Sequence, residues 1–340
     1  MVDFQTLFSK FSGIKVAIFG DVMLDTYWWG NVERISPEAP VPVVSMHHRE
    51  QRIGGAGNAA LNLASMGAQT TLFTVTGNDD DAVILLSLLS SNNINIDHIL
   101  KSDARITTNK IRIMGRNQQM MRLDSEVTID ISKGDESKLL NLFSAYVENE
   151  KPDVVVFEDY NKGLLTTGII DAVINICKGK NIVTTVDPKR KNFFAYKGVD
   201  IFKPNLKEVK DALNIVADNV SVALLNQIHQ QLKAQLHHSI SLITLSEKGV
   251  FIEDDNNAYI VPAHVRNLAD VSGAGDTVIA VASLVYVATK DILLAAEIAN
   301  LAGGIVCEEA GTIAINKGKL ISECYESLIN NPHNRFPSIV

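Results

Sequence analysis

The chain has 340 residues, of which 46% are hydrophobic and 21% charged, a composition typical of a globular protein with a large core. Its formal net charge of −8 argues against a surface that binds nucleic acid or an acidic membrane. There is no signal-peptide pattern and no apolar run that could span a bilayer. Because the three cysteines lack motif spacing, we expect reduced thiols and a cytoplasmic protein.

Strand-like and helix-like segments alternate from the N-terminus onwards. Several strands are continuous apolar runs, as in parallel sheets that helices cover on both faces. The predicted strands are Lys15–Phe19, Thr70–Thr76, Asp153–Phe157, Asn181–Val186, Val199–Phe202 and Ser239–Leu245. The predicted helices are Ala56–Met66, Asp80–Ser91, Thr166–Lys178, Leu206–Leu213 and Val278–Ala288. This order predicts an α/β fold with a doubly wound, mainly parallel sheet.

Two stretches interrupt the alternation. Ile35–Met46 is extended and rich in proline, which suits edge strands, and Ala104–Asp124 is rich in β-branched residues. We interpret both as strands of a small β-flap that is inserted into one domain spanning residues 1–340. The alternative interpretation is a pair of surface loops.

Polar side chains recur where the predicted strands end. They are Asp21, Asp25, Glu158, Asp159, Asp187, Asn205, Ser246 and Glu247. Ligands bind at this edge of open α/β sheets because loops and helix N-termini converge there. One aspartate after a strand is usually a helix cap, but acidic or amide groups at five strand ends indicate a binding site.

The glycine-rich segment Gly54–Asn58 precedes the first predicted helix and imitates a dinucleotide fingerprint. We reject that interpretation because His47–Arg52, just before it, is too polar for the buried strand that such a turn requires. Close approach of the backbone to a sugar, with Asn58 binding hydroxyl groups, fits the segment better. The chain also lacks a Walker A sequence, so an ATP site here would not be of the P-loop kind.

A second glycine-rich turn, Asp270–Thr277, precedes the apolar run Val278–Ala288. Small residues allow backbone N–H groups to converge at a helix N-terminus, where the helix dipole favours a phosphate or a developing anion. A carboxylate there would repel the anion unless it takes a proton from an attacking hydroxyl group. Asp276 therefore suggests phosphoryl transfer to an alcohol, whereas the alternative is an aspartate cap on a glycine-rich turn.

These motifs resemble those of a known family. Asp270–Asp276 resembles the C-terminal signature of the ribokinase-like (PfkB) carbohydrate kinases, and Gly54, Gly55 and Asn58 resemble their N-terminal sugar-binding motif. Asn205–Glu208 is similar to their Asn-x-x-Glu element, which organises Mg²⁺ and phosphate. Longer strings narrow the resemblance to bacterial D-glycero-D-manno-heptose 7-phosphate kinases. They are Gly20–Asp25, Arg34–Val44, Arg116–Gln119, Asp159–Gly163 and Asp187–Lys189.

The resemblance implies an enzyme that uses ATP and Mg²⁺ to phosphorylate the anomeric O1 of heptose 7-phosphate, giving the 1,7-bisphosphate for lipopolysaccharide biosynthesis. Asp276 would accept the O1 proton, while three N–H groups of the turn that starts at Gly273, those of Ala274, Gly275 and Asp276, hold the transferring group. Glu208 would position Mg²⁺, mostly through water. Residues implied along the nucleotide are Asn205, Glu208, Ser246, Gly249, Asn300, Gly273 and Gly275.

The resemblance also implies a set of substrate contacts. Asp21, Gly54, Gly55 and Asn58 would bind sugar hydroxyl groups. The sugar's own phosphate needs cations, although the alternative for any single one is a solvated surface charge. The candidates are Lys110, Arg112, Arg116, Arg122, Lys162 and Lys189, with Gln118 and Asp159 as further contacts.

Two other functions remain open. The chain could be a kinase of another sugar or sugar phosphate, of the fructose phosphate or ribose type, or a catalytically silent regulator that binds a sugar phosphate. Bifunctional members of this group add a nucleotidyltransferase domain with a His-x-Gly-His motif. Because this chain has neither the length nor the motif for that domain, we expect the stand-alone kinase form. We also expect the flap to close over the sugar and to form a homodimer contact, since exposed strand edges need covering.

Overall fold

The computed structural model describes residues 2–115, 118–216, 221–264, 266–330 and 338–339. Its helices are α1 (Phe4–Ser9), α2 (Ala56–Ser65), α3 (Asp80–Ser91), α4 (Lys133–Glu150), α5 (Thr167–Lys180), α6 (Leu206–Leu213), α7 (Val222–Leu236), α8 (Ala274–Thr289), α9 (Ile292–Val306) and α10 (Lys317–Cys324). A π-helical turn, Tyr325–Asn330, follows α10.

The strands belong to two sheets. In chain order they are β1 (Lys15–Gly20), β2 (Val22–Ile35), β3 (Pro42–Gly55), β4 (Gln69–Gly77), β5 (Ile94–Asn95), β6 (Ile99–Ser102), β7 (Asn109–Gly115), β8 (Gln118–Ser125), β9 (Val154–Glu158), β10 (Val183–Asp187), β11 (Ile201–Phe202), β12 (Ile240–Thr244), β13 (Val250–Glu253), β14 (Ala258–Val261) and β15 (Ser338–Ile339).

The large sheet confirms the predicted α/β class and its mainly parallel strands. Its order is β15-β14-β13-β12-β11-β10-β9-β1-β4-β5, and β6 also pairs with β4. The strands from β12 to β4 run parallel, whereas β13, β14 and β15 are added antiparallel. A tight turn, Ser246–Lys248, reverses the chain after β12, which makes the next strand antiparallel.

Apolar side chains cover both faces of this sheet. On β1, Val16 and Ile18 belong to one core cluster, whereas Ala17 and Phe19 belong to the other. This alternation follows from the two-residue period of a strand. Helices α8 and α9 are almost entirely apolar and buried in the first cluster, so the N-terminus of α8 is fixed beneath the ends of the parallel strands.

The second sheet has four strands in the order β3-β2-β7-β8, and we call it the flap. The predicted flap segments fall in it, but their bounds differ. Ile35–Met46 contains the turn between two strands that extend back to Val22 and on to Gly55. In the other segment the strand begins only at Asn109. The polar stretch before α2 is a strand because it lies at the edge of this exposed sheet.

Candidate active site

The parallel strands bring several polar side chains to one edge of the large sheet. Glu158 at the end of β9 is in register with Gly20 of β1 and with Asp187 of β10. Lys203 follows β11, and its Nζ lies 2.8 Å from Oδ2 of Asp187. The N-terminal turn of α8 meets this group, so the predicted convergence of strand ends and a helix N-terminus is present.

The predicted anion-binding turn begins α8. Gly273 has a φ of +79°, which favours glycine, and a Cβ there would lie 2.5 Å from Nδ2 of Asn58. The N–H of Ala274 donates to the carbonyl of Val271 at 3.3 Å, whereas those of Gly275 and Asp276 donate to no atom of the described residues. The turn therefore offers two free N–H groups rather than the three that the sequence predicts.

Asp276 lies inside this turn with only 3% of its surface exposed. Its Oδ1 accepts a hydrogen bond from the hydroxyl group of Tyr160 at 2.6 Å, and its Oδ2 accepts one from Nδ2 of Asn58 at 2.7 Å. Burial raises the pKa of Asp276, and these two hydrogen bonds oppose that rise. A buried carboxylate held from both sides has the fixed orientation that a general base needs.

Three buried carboxyl groups meet at this point. Glu158, Asp187 and Asp276 each have an oxygen within 4.8 Å of the other two. Lys203 and Lys189 approach Asp187 at 2.8 and 3.2 Å. Their charges lower the pKa of Asp187 against the effect of its burial. The edge of the sheet therefore combines a high density of acidic groups with two ammonium groups.

The predicted sugar motif lies where the flap joins the large sheet. Gly54 pairs with Met23 of β2, and a Cβ on it would lie 2.5 Å from Oδ2 of Asp25. Gly55 has a φ of +60°, and its Cβ would lie 2.4 Å from the carbonyl of Asp21. Because neither glycine has a side chain, the end of β3 can approach β2 closely. This close approach places Asp25 beside Gly54.

Asn58 and Asp21, two of the predicted sugar contacts, form internal hydrogen bonds in this structure, and their contact with a sugar stays a prediction. The amide of Asn58 is fully buried and donates to Asp276, so it orients this carboxylate. The carboxylate of Asp21 accepts hydrogen bonds from the N–H groups of Tyr160, Lys162 and Leu164 at 3.0–3.1 Å. It anchors this loop because three backbone donors satisfy most of its acceptor capacity.

Asp159 is likewise occupied inside the protein. It accepts hydrogen bonds from the N–H of Asn161 at 2.8 Å and from the hydroxyl group of Tyr196 at 2.8 Å. Burial raises its pKa to about 6. In this structure Asp159 supports the loop after β9, and its contact with substrate stays a prediction.

The predicted cations divide according to their partners. Arg112 pairs with Asp25 at 2.6 Å, Lys162 with Glu126 at 2.7 Å, and Arg122 with Asp124 at 2.8 Å. Lys189 pairs with Asp187 and, at 2.9 Å, with Glu208. Lys110 is half-buried and has no carboxylate within 4 Å among the residues that the structure describes. Its Nζ lies 5.7 Å from the centre of the ring of Tyr160, whose hydroxyl group donates to Asp276.

One further substrate candidate, Gln118, lies at the distal end of the flap. Gln118 pairs with Gly115 where β7 and β8 meet, and its side chain is exposed. Arg116 lies outside the described residues. The structure therefore does not bring Gln118 to the carboxylate cluster.

The predicted nucleotide residues lie at the other end of the same edge. Asn205 and Glu208 form a reciprocal capping box at the start of α6. Ser246 and Gly249 shape the turn between β12 and β13, with φ values of +55° and +95°. Asn300 donates from Nδ2 to the carbonyl of Pro262 at 2.8 Å. The side chains of Asn205, Glu208 and Asn300 are thus bonded to backbone groups, and their contact with a nucleotide stays a prediction.

Glu208 was also the predicted Mg²⁺ residue. Its Oε2 accepts the N–H of Asn205 at 2.8 Å and its Oε1 accepts Nζ of Lys189 at 2.9 Å. A carboxylate with both oxygens engaged fits a role in the outer coordination sphere, where it orients water on the ion. It therefore fits the predicted indirect contact better than direct ligation.

Five residues of the site were not among the predicted contacts. Glu158, Asp187 and Asp25 were visible only as acidic groups at strand ends. Tyr160 and Lys203 stand inside or beside motifs, but no spacing rule indicates that they reach Asp276 and Asp187. Their register in the sheet, which a single sequence does not give, brings them to the site.

Comparisons with known proteins identify the family and the fold. The sequence model described as "pfkB family carbohydrate kinase" matches residues 14–318. Bifunctional protein HldE of Sulfurimonas denitrificans is 38% identical over 93% of this chain and 65% of its own length. Its counterpart in Geobacter metallireducens is 35% identical over 93% of this chain and 64% of its own length. The chain thus spans about two thirds of the length of these relatives.

Solved structures show the same fold at low sequence identity. Escherichia coli phosphofructokinase-2 in complex with potassium has a TM-score of 0.76 and 16% identity, covering 93% of this chain and 99% of that one. Arabidopsis thaliana ribokinase complexed with ribose and ATP has a TM-score of 0.70 and 15% identity, covering 91% and 98%. Among the described residues, no helix is both long and apolar enough to cross a bilayer.

Proposed function

The chain belongs to the pfkB family of carbohydrate kinases, and from this premise we propose that it phosphorylates the anomeric hydroxyl group of D-glycero-D-manno-heptose 7-phosphate. ATP supplies the phosphoryl group, and the products are the 1,7-bisphosphate and ADP. One observation carries the chemistry: a buried carboxylate, Asp276, lies within a helix N-terminal turn that has free N–H groups. The resemblance of Gly20–Asp25 and Arg34–Val44 to the heptose kinases supports the choice of sugar.

Asp276 takes the proton from O1 as this oxygen attacks the γ-phosphorus of ATP. The new P–O bond forms as the bond to the bridging oxygen of ADP breaks, and the electron pair of that bond leaves with ADP. Tyr160 and Asn58 hold the two oxygens of Asp276, which keeps one lone pair directed at the substrate. Such positioning supplies much of the rate acceleration in phosphoryl transfer because the reaction needs little covalent help from the protein.

The turn and its neighbours stabilise the charge of the transferring group. The N–H groups of Gly275 and Asp276 point from a helix N-terminus, where the dipole favours an anion. Lys203 lies close to the same turn, because a Cβ on Gly275 would be 3.4 Å from its Nζ. Bound Mg²⁺ would neutralise the phosphates of ATP, and Glu208 would hold it through water.

We assign recognition of the substrate's own phosphate to the flap. Lys110 is the best candidate, because it is close to Tyr160 and has no carboxylate partner within 4 Å in the described part of the chain. Arg112 and Asp25, which pair at 2.6 Å, lie on the same face and are placed to contact sugar hydroxyl groups. In this proposal the flap closes over the sugar and excludes water, which would otherwise hydrolyse ATP.

The proposal is tested by measuring ADP release with a panel of sugars. The panel contains heptose 7-phosphate, free heptose, fructose 6-phosphate and ribose, each with ATP and Mg²⁺. Phosphorus NMR of the product then locates the new phosphate. We expect heptose 7-phosphate to give the highest kcat/KM and a phosphate on C1.

Other results would identify the alternatives. A higher kcat/KM with fructose 6-phosphate or ribose would reassign the enzyme to another sugar kinase. Sugar-phosphate binding in titration calorimetry without ATP turnover would indicate a silent regulator. Equal kcat/KM for free and phosphorylated heptose would remove the role assigned to Lys110 but leave Asp276 as the base.

A further inference from the structure

Glu158 has no function in the scheme above, yet it lies at the centre of the site. It ends β9 between Gly20 and Asp187 and has no exposed surface. Neither Oε1 nor Oε2 receives a hydrogen bond from a described residue. A buried carboxylate with no donor is strongly unfavourable, so some compensation for its charge must exist.

The neighbouring carboxyl groups are compensated in different ways. Asp276 receives hydrogen bonds from Tyr160 and Asn58 and lies at a helix N-terminus. Asp187 receives Nζ of Lys203 and of Lys189. Carboxyl groups this close together cannot all be ionised, and the one without donors or cations retains its proton.

The charged and titratable groups around Glu158 lead to the same conclusion. Groups whose charge or hydrogen bonding acts on Glu158, or on which it acts, include Asp187, Lys189, Lys203, Asp276, Tyr160 and Tyr196. The two lysines are engaged by Asp187, and Lys189 also by Glu208. No cation of the described residues forms an ion pair with Glu158 itself.

We propose that Glu158 is a neutral carboxylic acid whose O–H donates a hydrogen bond to Asp276, and that it is a positioning residue that keeps Asp276 ionised and oriented. With this third donor, Asp276 is held by Tyr160, Asn58 and Glu158. The positioning role rests on the proposed function of Asp276 as the base, whereas the protonation of Glu158 does not.

The electrostatics of the cluster support this geometry. Burial raises the pKa of Glu158 well above its ordinary value, and the charges of Asp187 and Asp276 raise it further. In the other direction, the hydrogen bond from Glu158 lowers the pKa of Asp276, opposing the larger effect of burial. The pair therefore separates into one neutral acid and one ionised base.

A divalent cation between the three carboxyl groups is the competing explanation. The hydrogen-bond partners argue against it, because Tyr160 and Asn58 occupy Asp276, and the ammonium group of Lys203 occupies Asp187. A dication would also face the positive end of α8 and would remove the basic lone pair of Asp276. A proton compensates Glu158 without disturbing these contacts.

The first experiment measures the proton on Glu158 through stability. An acid whose pKa rises on folding releases its proton on unfolding, so stability falls as pH rises above the ordinary value of 4.5. We would measure urea unfolding of wild type, Glu158→Gln and Glu158→Met between pH 6 and 8. For each pH unit, the factor by which the unfolding equilibrium constant increases should be ten times larger in wild type than in either variant. Buried acids outside this cluster, such as Asp159, contribute equally to all three proteins.

Equal slopes would show that Glu158 is ionised in the folded protein and would overturn the proposal. If neither neutral variant folds, the carboxylate is needed in its charged form, and the proposal fails in the same way. Neither result depends on which sugar is the substrate, so this failure is distinct from failure of the proposed kinase activity.

The second experiment measures the positioning role in the kinase assay. Glu158→Gln retains an N–H donor and should keep at least about a third of kcat, whereas Glu158→Met removes the donor. In Glu158→Met the acidic limb of the kcat–pH profile should move upward by about one pH unit, since a hydrogen bond to a charged group is lost. An unshifted limb in Glu158→Met, or loss of Mg²⁺-dependent activity in Glu158→Gln, would contradict the role.

Discussion

The edge of the large sheet and the flap both contain many charged residues, but these residues are buried in the first region and mostly exposed in the second. At the sheet edge, Glu158, Asp187 and Asp276 are almost fully buried, and internal groups hold the two aspartates. On the flap, all residues of β8 are exposed, and pairs such as Arg122 with Asp124 are solvated. The first region has one possible arrangement of charges, whereas the second can rearrange when a ligand arrives.

This difference indicates where chemistry and where selectivity reside. Exposed ion pairs contribute about 0–1 kcal/mol, so the exposed residues of β8 can exchange one partner for a substrate phosphate at small cost. Removing one partner from a buried cluster costs several times more because a charge is left uncompensated. We therefore expect changes at the sheet edge to affect turnover, and changes on the flap to affect the choice of sugar.

The largest effect should come from Asp276→Asn, which removes the base but retains the shape of the side chain. We expect kcat to fall by about 10²–10⁴, the range for loss of a general base, with ATP binding retained. Steady-state kinetics and calorimetry measure the two quantities. Asp171→Asn, at an exposed position of α5, is the matched control and should leave both unchanged. Turnover within threefold of wild type in Asp276→Asn would remove the base assignment.

Lys110→Met should give the next largest effect, and only with the phosphorylated sugar. A charged hydrogen bond to phosphate contributes about 1.5–3 kcal/mol, which predicts a loss of about 10- to 100-fold in kcat/KM for heptose 7-phosphate. Free heptose should be used as well as by wild type. Lys101→Met, an exposed lysine on β6, provides the control. Equal losses with both sugars would mean that Lys110 supports the fold of the flap.

The pH dependence should separate the two regions. The pKa of Asp276 is raised above its ordinary value of 3.8, so kcat should fall about tenfold per pH unit as acidification protonates the base. The pKa of Lys110 is lowered from 10.5, chiefly by burial, so KM for heptose 7-phosphate should rise on the alkaline side as this cation is neutralised. Profiles of kcat and KM with wild type and Lys110→Met test both limbs. An alkaline limb that persists in Lys110→Met would assign it to another group.

The sequence predicts the sheet edge better than the flap, for physical reasons. The anion turn and the parallel strands leave strong local patterns, since glycine, apolar runs and helix starts are encoded by neighbours in the chain. The hydrogen-bond partners of Asp276 come from residues 58 and 160, and only the tertiary fold brings them together. The internal hydrogen bonds of Asn58 and Asp21, two of the predicted sugar contacts, depend on the tertiary fold in the same way.

The flap is the region whose structure the sequence predicts less well. Its strands alternate exposed polar and apolar side chains over long lengths, so their bounds were underestimated on both sides of Ile35–Met46. Asp25 was visible as a strand-end acid, but its pairing with Arg112 depends on the parallel register of β2 and β7. Helices α1, α4, α7, α9 and α10 were not predicted, although α9 is as apolar and buried as α8.

Gly54→Ala tests the junction of the two regions. The added Cβ would lie 2.5 Å from Oδ2 of Asp25, so this carboxylate must move away from the site. We expect KM for the sugar to rise about tenfold, since a displacement of about 1 Å can cost up to 10²-fold, with a smaller change in kcat. Gly179→Ala is the control because its Cβ would meet nothing within 4 Å. An unchanged KM would show that Asp25 does not contact the sugar.

We expect the smallest effect on turnover from a substitution on the apolar face of the flap. Ile111 pairs with Leu123 and Ile113 with Met121, so these four side chains share one face, opposite to Lys110 and Arg112. Met121 and Leu123 are 55% and 44% exposed. A contiguous apolar face on a thin sheet is typical of an interface, and the edge strand β8 needs covering as well.

We propose that a second copy of the chain covers this face through a two-fold contact. Light scattering of wild type at micromolar concentration should then give twice the monomer mass, and Met121→Glu should give the monomer because a buried unpaired charge disfavours the contact. Turnover per subunit should change by less than about threefold, since Met121 faces away from the charged face that carries Lys110. Val83→Glu, on the exposed side of α3, places the same charge elsewhere and should leave the dimer intact. A wild-type monomer would remove the dimer and leave the closing flap, because closure needs only the charged face.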